Sequence, residues 1–417
     1  MEMFGFCMRK EGREDMDQRG VKREKRERGE RKWGLGMRFV LGFLVFSLLF
    51  SFQAAAMEVR GEGMEALLGY DEYRVGEERE EGGFLNYADY TAGEERESMR
   101  EESLLSYDYY KNSCPQAESI IRDTVSELTR NRSNVPAVLL RLAFHDCFVE
   151  GCEASVLLDE VVDGGPSEKE ARPNKGSLKG FDLIDMIKYN LQNSCPATVS
   201  CADIIVLSAR DAIALAGGPF YPLKMGRKDG FKSHFERAEA ELPRPSDHLN
   251  TTLSRFMAKG FSLIDTISLL GGHSIGKTSC RFINDRLFNM SGGGLPDPTL
   301  PLDLLPSLRI ACDPANGISH AATGISDPQV PLHLEATNNQ AFDATHFYAN
   351  LAWGRGVLFS DQQLMSSPIT AAIVRQYASG ERSFDSDFGA AMIKLSNLGL
   401  LSGGAGEVRT HCAYSNI

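Results

Sequence analysis

Leu139-Leu140-Arg141-Leu142-Ala143-Phe144-His145-Asp146-Cys147-Phe148 is the stretch on which the reading of this chain turns. Arg141 and His145 stand four apart in an otherwise apolar run, the spacing that sets two side chains on one face of a helix. A guanidinium beside an imidazole on a face that must be buried needs a reason. A cavity for an anionic or polarised ligand supplies one; hydrogen bonding of both groups to core backbone is the alternative for such a pair taken alone. A second histidine lies in Leu269-Leu270-Gly271-Gly272-His273-Ser274-Ile275-Gly276, after another apolar run. This string also satisfies the G-x-S-x-G form of a hydrolase elbow, with Ser274 as nucleophile, Asp361 and His411 downstream, and Gly217-Gly218 as an oxyanion loop. That elbow requires a preceding strand in a βαβ frame.

Around the two strings the chain reads as helices in succession. Ile120, Ile121, Val125 and Leu128 recur at helical spacing, as do Val138, Leu139 and Leu142, and Leu183, Ile184, Ile187 and Leu191. Further such runs are 204–215, 249–256, 369–377 and 388–398, with turns at Gly217-Gly218-Pro219, Pro243-Arg244-Pro245 and 291–301. Strand signals are few and short. The expectation is a mainly α domain over 104–417, with no βαβ pattern.

The remaining chain is different material. The protein has 417 residues, 42% of them hydrophobic, enough for a full core, and a formal charge of −12 that argues against nucleic acid or an anionic membrane as partner. Net charge is +4 over 1–38, −10 over 57–103 and −6 over 104–417. Residues 1–38 are a Lys/Arg/Glu mixture with too little apolar surface to fold and are expected to be disordered. Residues 39–56 carry no charge and end Gln53-Ala54-Ala55-Ala56, the form of a signal-peptide apolar region with small residues for cleavage. Eighteen uncharged residues also sit at the lower limit for a membrane anchor. A start at Met37 would give a short basic n-region, so residues 1–36 read as an extension of the gene model. Residues 57–103, acidic and Gly-rich, read as a solvated linker or propeptide.

Nine cysteines are present. Cys7 precedes the apolar run and would leave with it, so eight remain, an even set suited to disulfides in a secreted chain. Counting alone leaves 105 pairings open. A metal site at His145, Cys147 and Cys152 is disfavoured because no second ligand pair follows at zinc-like distance. Asn131, Asn250 and Asn289 begin N-glycosylation sequons.

Together, Arg141 to Cys152 (RLAFHDCFVEGC) and Leu270 to Gly276 (LGGHSIG) resemble the distal and proximal haem motifs of secreted plant class III peroxidases. The likeness runs from about Leu104 to Cys412. It takes in Ser113-Cys114-Pro115, Val199-Ser200-Cys201-Ala202-Asp203, Arg227-Lys228-Asp229-Gly230, Leu242-Pro243 and Phe359-Ser360-Asp361-Gln362. The resemblance implies a mainly α, two-lobed fold with haem b between distal and proximal halves. It also implies two calcium ions, and disulfides Cys114 to Cys195, Cys147 to Cys152, Cys201 to Cys412 and Cys280 to Cys312. The activity implied is oxidation of phenolic donors by hydrogen peroxide, in cell-wall and lignin chemistry and peroxide removal. The protein would be a secreted monomer of the cell wall or vacuole.

The same resemblance assigns roles. His145 would move the peroxide proton, Arg141 would stabilise the charge that develops as the O–O bond breaks, and Asn174 would keep His145 neutral and oriented. Phe144 would shield the distal side. His273 would be the axial iron ligand, with Asp361 accepting its other N–H, and Pro243 would help hold the aromatic donor. Calcium would be held distally by Asp146, Val149, Gly151, Glu153 and Ser155, whose oxygens recur at near-alternating positions. The proximal ion would be held by Ser274, Glu335, Asn338, the Ala341 carbonyl and Asp343. Three departures stand out. Glu153 replaces the usual Asp, Glu335 and Asn338 replace Asp and Thr, and one residue is inserted after Asp343. The expectation is a firmly held distal ion and a weak proximal one. Tyr221 stands where the family commonly has Trp.

Overall fold

The computed structural model describes residues 105–159, 164–313, 328–333, 341–401 and 403–416, all within one compact unit. The expectations for the three N-terminal segments, and for Glu335 and Asn338, lie outside the described residues.

Apolar spacing near 3.6 residues becomes helix. α1 (Ala117–Asn131) buries Ile121, Val125 and Leu128, and α2 (Val135–Cys147) buries Leu139, Leu142 and Ala143. α3 (Phe181–Ser194) buries Leu183, Ile184, Ile187 and Leu191. α4 (Cys201–Leu215) is buried nearly all round, as its unbroken apolar sequence requires. Each fully covered aliphatic side chain contributes about 1.5–3 kcal/mol relative to exposure. α2 lies against α4, and α1 packs on both α3 and α4.

α5 (Phe235–Glu241) and α6 (Leu249–Ala258) flank the Pro243–Pro245 loop. α7 (Leu263–Leu270) opens with a full capping box: Asp265 N–H donates to Ser262 Oγ, and Ser262 N–H to Asp265 Oδ2. It runs into a 3₁₀ turn, Gly271–Ser274, that carries His273. Beyond it, β1 (Lys277–Ser279) pairs antiparallel with β2 (Gln329–Pro331), with Thr278 opposite Val330. α8 (Asn284–Phe288) and α9 (Leu305–Ala311) cover this side around a small apolar cluster of Cys280, Leu287, Leu308 and Leu358. α10 (Ala344–Ala352), α11 (Phe359–Gln362), α12 (Pro368–Ser379) and α13 (Phe384–Ser396) complete the described helices. α10 packs on α12 and on the His273 turn, and α13 on α7. One continuous apolar core joins α1–α4 to α6, α7, α10, α12 and α13.

Four disulfides tie these parts: Cys114–Cys195, Cys147–Cys152, Cys201–Cys412 and Cys280–Cys312. They are the pairs the resemblance implies, and they leave neither Cys147 nor Cys152 for a metal. Asn131, Asn250 and Asn289 are all exposed. Among the described residues no helix is long and apolar enough to cross a membrane.

Candidate active site

The last turn of α2 sets Arg141 above His145, and each is fixed by groups from the loop after it. Asn174 Nδ2 donates to Glu168 O (2.8 Å), which turns its Oδ1 toward His145; His145 Nδ1–H donates to that oxygen at 2.6 Å. The tautomer follows: Nε2 is left with its lone pair, and it accepts from Arg141 Nε–H at 3.2 Å. Arg141 is anchored independently, donating to Ser177 O (3.0 Å), Pro173 O (2.9 Å) and Ser177 Oγ (3.1 Å). Burial, reinforced by Arg281, lowers its pKa to about 10, so it stays charged at neutral pH.

His145 is held well below the ordinary histidine pKa, first by burial and then by the charge of Arg141. The Asn174 hydrogen bond acts in the opposite direction. Neutrality therefore comes from burial and Arg141, and Asn174 supplies tautomer and orientation. Phe144, next along the helix, stacks on Phe148 at 4.8 Å between ring centroids and leans on Phe256 at 5.8 Å.

On the other element, His273 Nδ1–H donates to Asp361 Oδ1 at 2.9 Å. Burial lowers the His273 pKa, but the Asp361 charge and hydrogen bond outweigh it, and the net shift is upward. Asp361 is held in α11, whose Ser360 N–H donates to Pro245 O (2.9 Å). The same bond ties the Pro243–Pro245 loop to that helix. Arg286, paired with Asp297 at 2.7 Å, donates to Val357 O and so fixes the chain just ahead of α11.

The two histidines face a shared interior. Each feels the other side's charge, since His273 bears on the His145 pKa and Arg141 on that of His273. The His273 segment lies close against α2: a Cβ on Gly276 would stand 2.8 Å from Ala137 Cβ, and one on Gly272 would stand 3.3 Å from Leu140 Cδ2. Yet the His273 side chain keeps 35% of its surface while its partner Asp361 keeps 1%. Arg141 and Phe144 are likewise only partly covered. A proton acceptor, a fixed cation and a second histidine whose Nε2 makes no hydrogen bond among the described residues are the groups an iron-bearing cofactor needs, and the part-exposed His273, Arg141 and Phe144 leave them open to one, so the residues present suit haem.

The hydrolase arrangement is not formed. Asp361 is bonded to His273, His411 is exposed beside Thr410, Ser274 Oγ is buried, and the turn follows a helix. Pro243 is half-buried, and among the described residues no hydrogen bond or ring contact links it to His145 or His273.

In the distal loop, Asp146 Oδ2 accepts from Ala154 N–H (3.0 Å) and lies near Glu168 and Glu153. Burial raises the pKa of Asp146 well above the carboxylate range and that of Glu168 to about 6. Ser155 Oγ and Glu168 Oε2 are buried without a hydrogen bond of normal geometry. Buried carboxylates beside unsatisfied oxygens suit a hard cation. Among the described residues no three His, Cys, Asp or Glu side chains form a metal cluster, so backbone carbonyls and Ser155 would have to share the ligation. On the proximal side Ser274 Oγ is a buried orphan, whereas Asp343 is engaged, accepting from His346 N–H and from His346 Nδ1–H at 2.6 Å.

Glu168, Ser177, His234 and Lys259 were not legible as site residues in the sequence. Their parts are played by a backbone carbonyl, a hydroxyl, an imidazole and an ammonium group distant in the chain, and no local pattern marks them.

A helical domain with a His–Arg–Asn group at the end of one helix and a His–Asp pair on the turn after another has the make-up of a helical peroxidase. The Peroxidase family model matches residues 121–380. The chain is 41% identical over 316 residues to Peroxidase N of Armoracia rusticana, covering 75% of this chain and 91% of that protein. It is 39% identical over 314 residues to Peroxidase 10 of Arabidopsis thaliana, covering 75% and 87%. Peroxidase 54 of Arabidopsis thaliana is 40% identical over 314 residues, covering 75% and 84%. The chain belongs to the plant class III peroxidase family. It is an oxidoreductase that uses hydrogen peroxide to oxidise donor molecules.

Proposed function

We propose that the protein is a secreted haem b peroxidase acting on phenolic donors, two donors and one hydrogen peroxide giving two phenoxyl radicals and two waters. The observation that carries this reading is the state of His145: neutral, with Nδ1–H spent on Asn174 and the Nε2 lone pair beside a fixed guanidinium.

Haem, when bound, supplies the iron at which peroxide is reduced. The chain supplies the rest. His145 Nε2 takes a proton from the near oxygen of peroxide and returns it to the departing oxygen, so that water leaves. Arg141 stabilises the negative charge on that departing oxygen, and its three hydrogen bonds hold it there without reorganisation. His273 would hold the iron through Nε2, and Asp361, by accepting from Nδ1–H, would make that nitrogen a stronger donor. Phe144, packed on Phe148 and Phe256, would shield the distal side, and Pro243 is the proposed donor contact. Asp146, Val149, Gly151, Glu153 and Ser155 are the proposed distal calcium ligands. Ser274 remains a proposed proximal ligand, together with Glu335, Asn338 and Asp343.

Cell-wall phenol and lignin chemistry, peroxide removal, a monomeric state and N-glycans on Asn131, Asn250 and Asn289 complete the reading. Secretion predicts a mature chain beginning near Met57, which N-terminal sequencing of the exported protein checks.

The deciding experiment joins an absorption spectrum to rapid mixing with peroxide. A Soret band is expected, and His145→Ala should keep it while losing about 10²–10⁴-fold in the rate of the first oxidation step. A normal rate in that variant, or a purified protein with no Soret band, overturns the proposal.

A further inference from the structure

Glu153, the distal-loop residue that departs from the family pattern, is met by two other features of this chain. Its longer side chain lies over Gly230, where a Cβ would collide with the carboxylate, so the glycine makes room for the added methylene. Its Oε1 then accepts from His234 Nε2–H at 3.0 Å. Glu153 is buried and His234 is only partly exposed, so the bond is shielded from competing water. His234 serves a second carboxylate as well, its backbone N–H donating to Glu168 Oε1 at 2.9 Å. Val149 O, another expected calcium ligand, accepts from Lys259 Nζ. Arg409, fully buried, donates to Ala154 O (2.8 Å) and Gly230 O. Glu153 Oε1, Glu168 Oε1 and Val149 O thus already have donors from the chain, while Ser155 Oγ and Glu168 Oε2 are left for the metal.

We propose that His234 is a positioning residue that takes over part of calcium's work in the distal loop, holding Glu153 and Glu168 so that the loop keeps its form when calcium is withdrawn. This rests on the peroxidase reading for the presence of the calcium site. A shorter Asp at 153 could not span to His234 and would be left for the metal; the Glu–Gly–His combination trades metal dependence for an internal hydrogen bond. Gly230 and His234 are therefore the partners that make Glu153 tolerable.

The test is chelation of the purified holoenzyme with EGTA, reading calcium content and thermal midpoint in wild type, His234→Phe and Glu153→Asp. Wild type should lose under about 2 °C on chelation, and His234→Phe several-fold more. Glu153→Asp should bind calcium at least about tenfold more tightly than wild type and lose correspondingly more stability when stripped. Equal chelator sensitivity in wild type and His234→Phe, or wild-type calcium affinity in Glu153→Asp, overturns the proposal. If His234→Phe does not fold, Glu153→Asp decides alone. Absence of a Soret band from the same preparation counts against the peroxidase reading and leaves the chelation comparison readable.

Discussion

His145 works only as long as it is neutral, and two causes keep it so: burial and the nearby Arg141 charge. A base with a lowered pKa stays competent as pH falls, and is lost only when pH passes below the folded value. The first oxidation step is therefore expected to be flat from neutral pH through the ordinary histidine range near 6.5, with its acid limb lower. Arg141→Gln removes the charge that lowers the His145 pKa, so the acid limb should move to higher pH while the plateau drops about 10²–10³-fold. Stopped-flow rates across pH check both; an unmoved limb would show that burial alone sets the value. On the opposite face, Asp361→Asn should weaken the His273 bond that steadies Nε2. A changed spin-state spectrum and faster haem loss to an acceptor protein are expected.

Among the elements, α2 and the His273 segment approach closely. Gly276 allows this twice over, by a φ of +97° and by having no Cβ against Ala137. Gly276→Ala should cost about 1–3 kcal/mol and disturb haem retention before it disturbs helix content. Denaturant unfolding and the Soret intensity measure the two. α7, which delivers His273, begins at its capping box, so Ser262→Ala should cost about 1 kcal/mol, measured the same way.

The whole molecule is braced by bridges of very different span. Cys201–Cys412 joins residues 211 apart, whereas Cys147–Cys152 closes only five. In the chain-entropy account the long bridge is worth about 5 kcal/mol and the short one about 2. Replacing Cys201 and Cys412 together by Ala should therefore lower stability by more than twice as much as replacing Cys147 and Cys152. Equal losses in denaturant unfolding would mean that the short bridge acts through the distal loop instead of through the unfolded chain.

Helix positions and the side chains with chemistry were set by the sequence itself. Ile121, Val125 and Leu128 had to share a buried face because 3.6 residues make a turn, and the Arg141–His145 spacing had to bring guanidinium and imidazole together. What joined those pieces was tertiary. That Asn174 orients His145 depends on a carbonyl at Glu168, that His273 meets Asp361 depends on packing across 88 residues, and that Glu153 finds His234 depends on a loop 81 residues away. Such pairings carry no period and no local spacing. They are decided by which backbone groups the folded chain leaves in need of a partner, and only the packed helices fix where those groups come to lie.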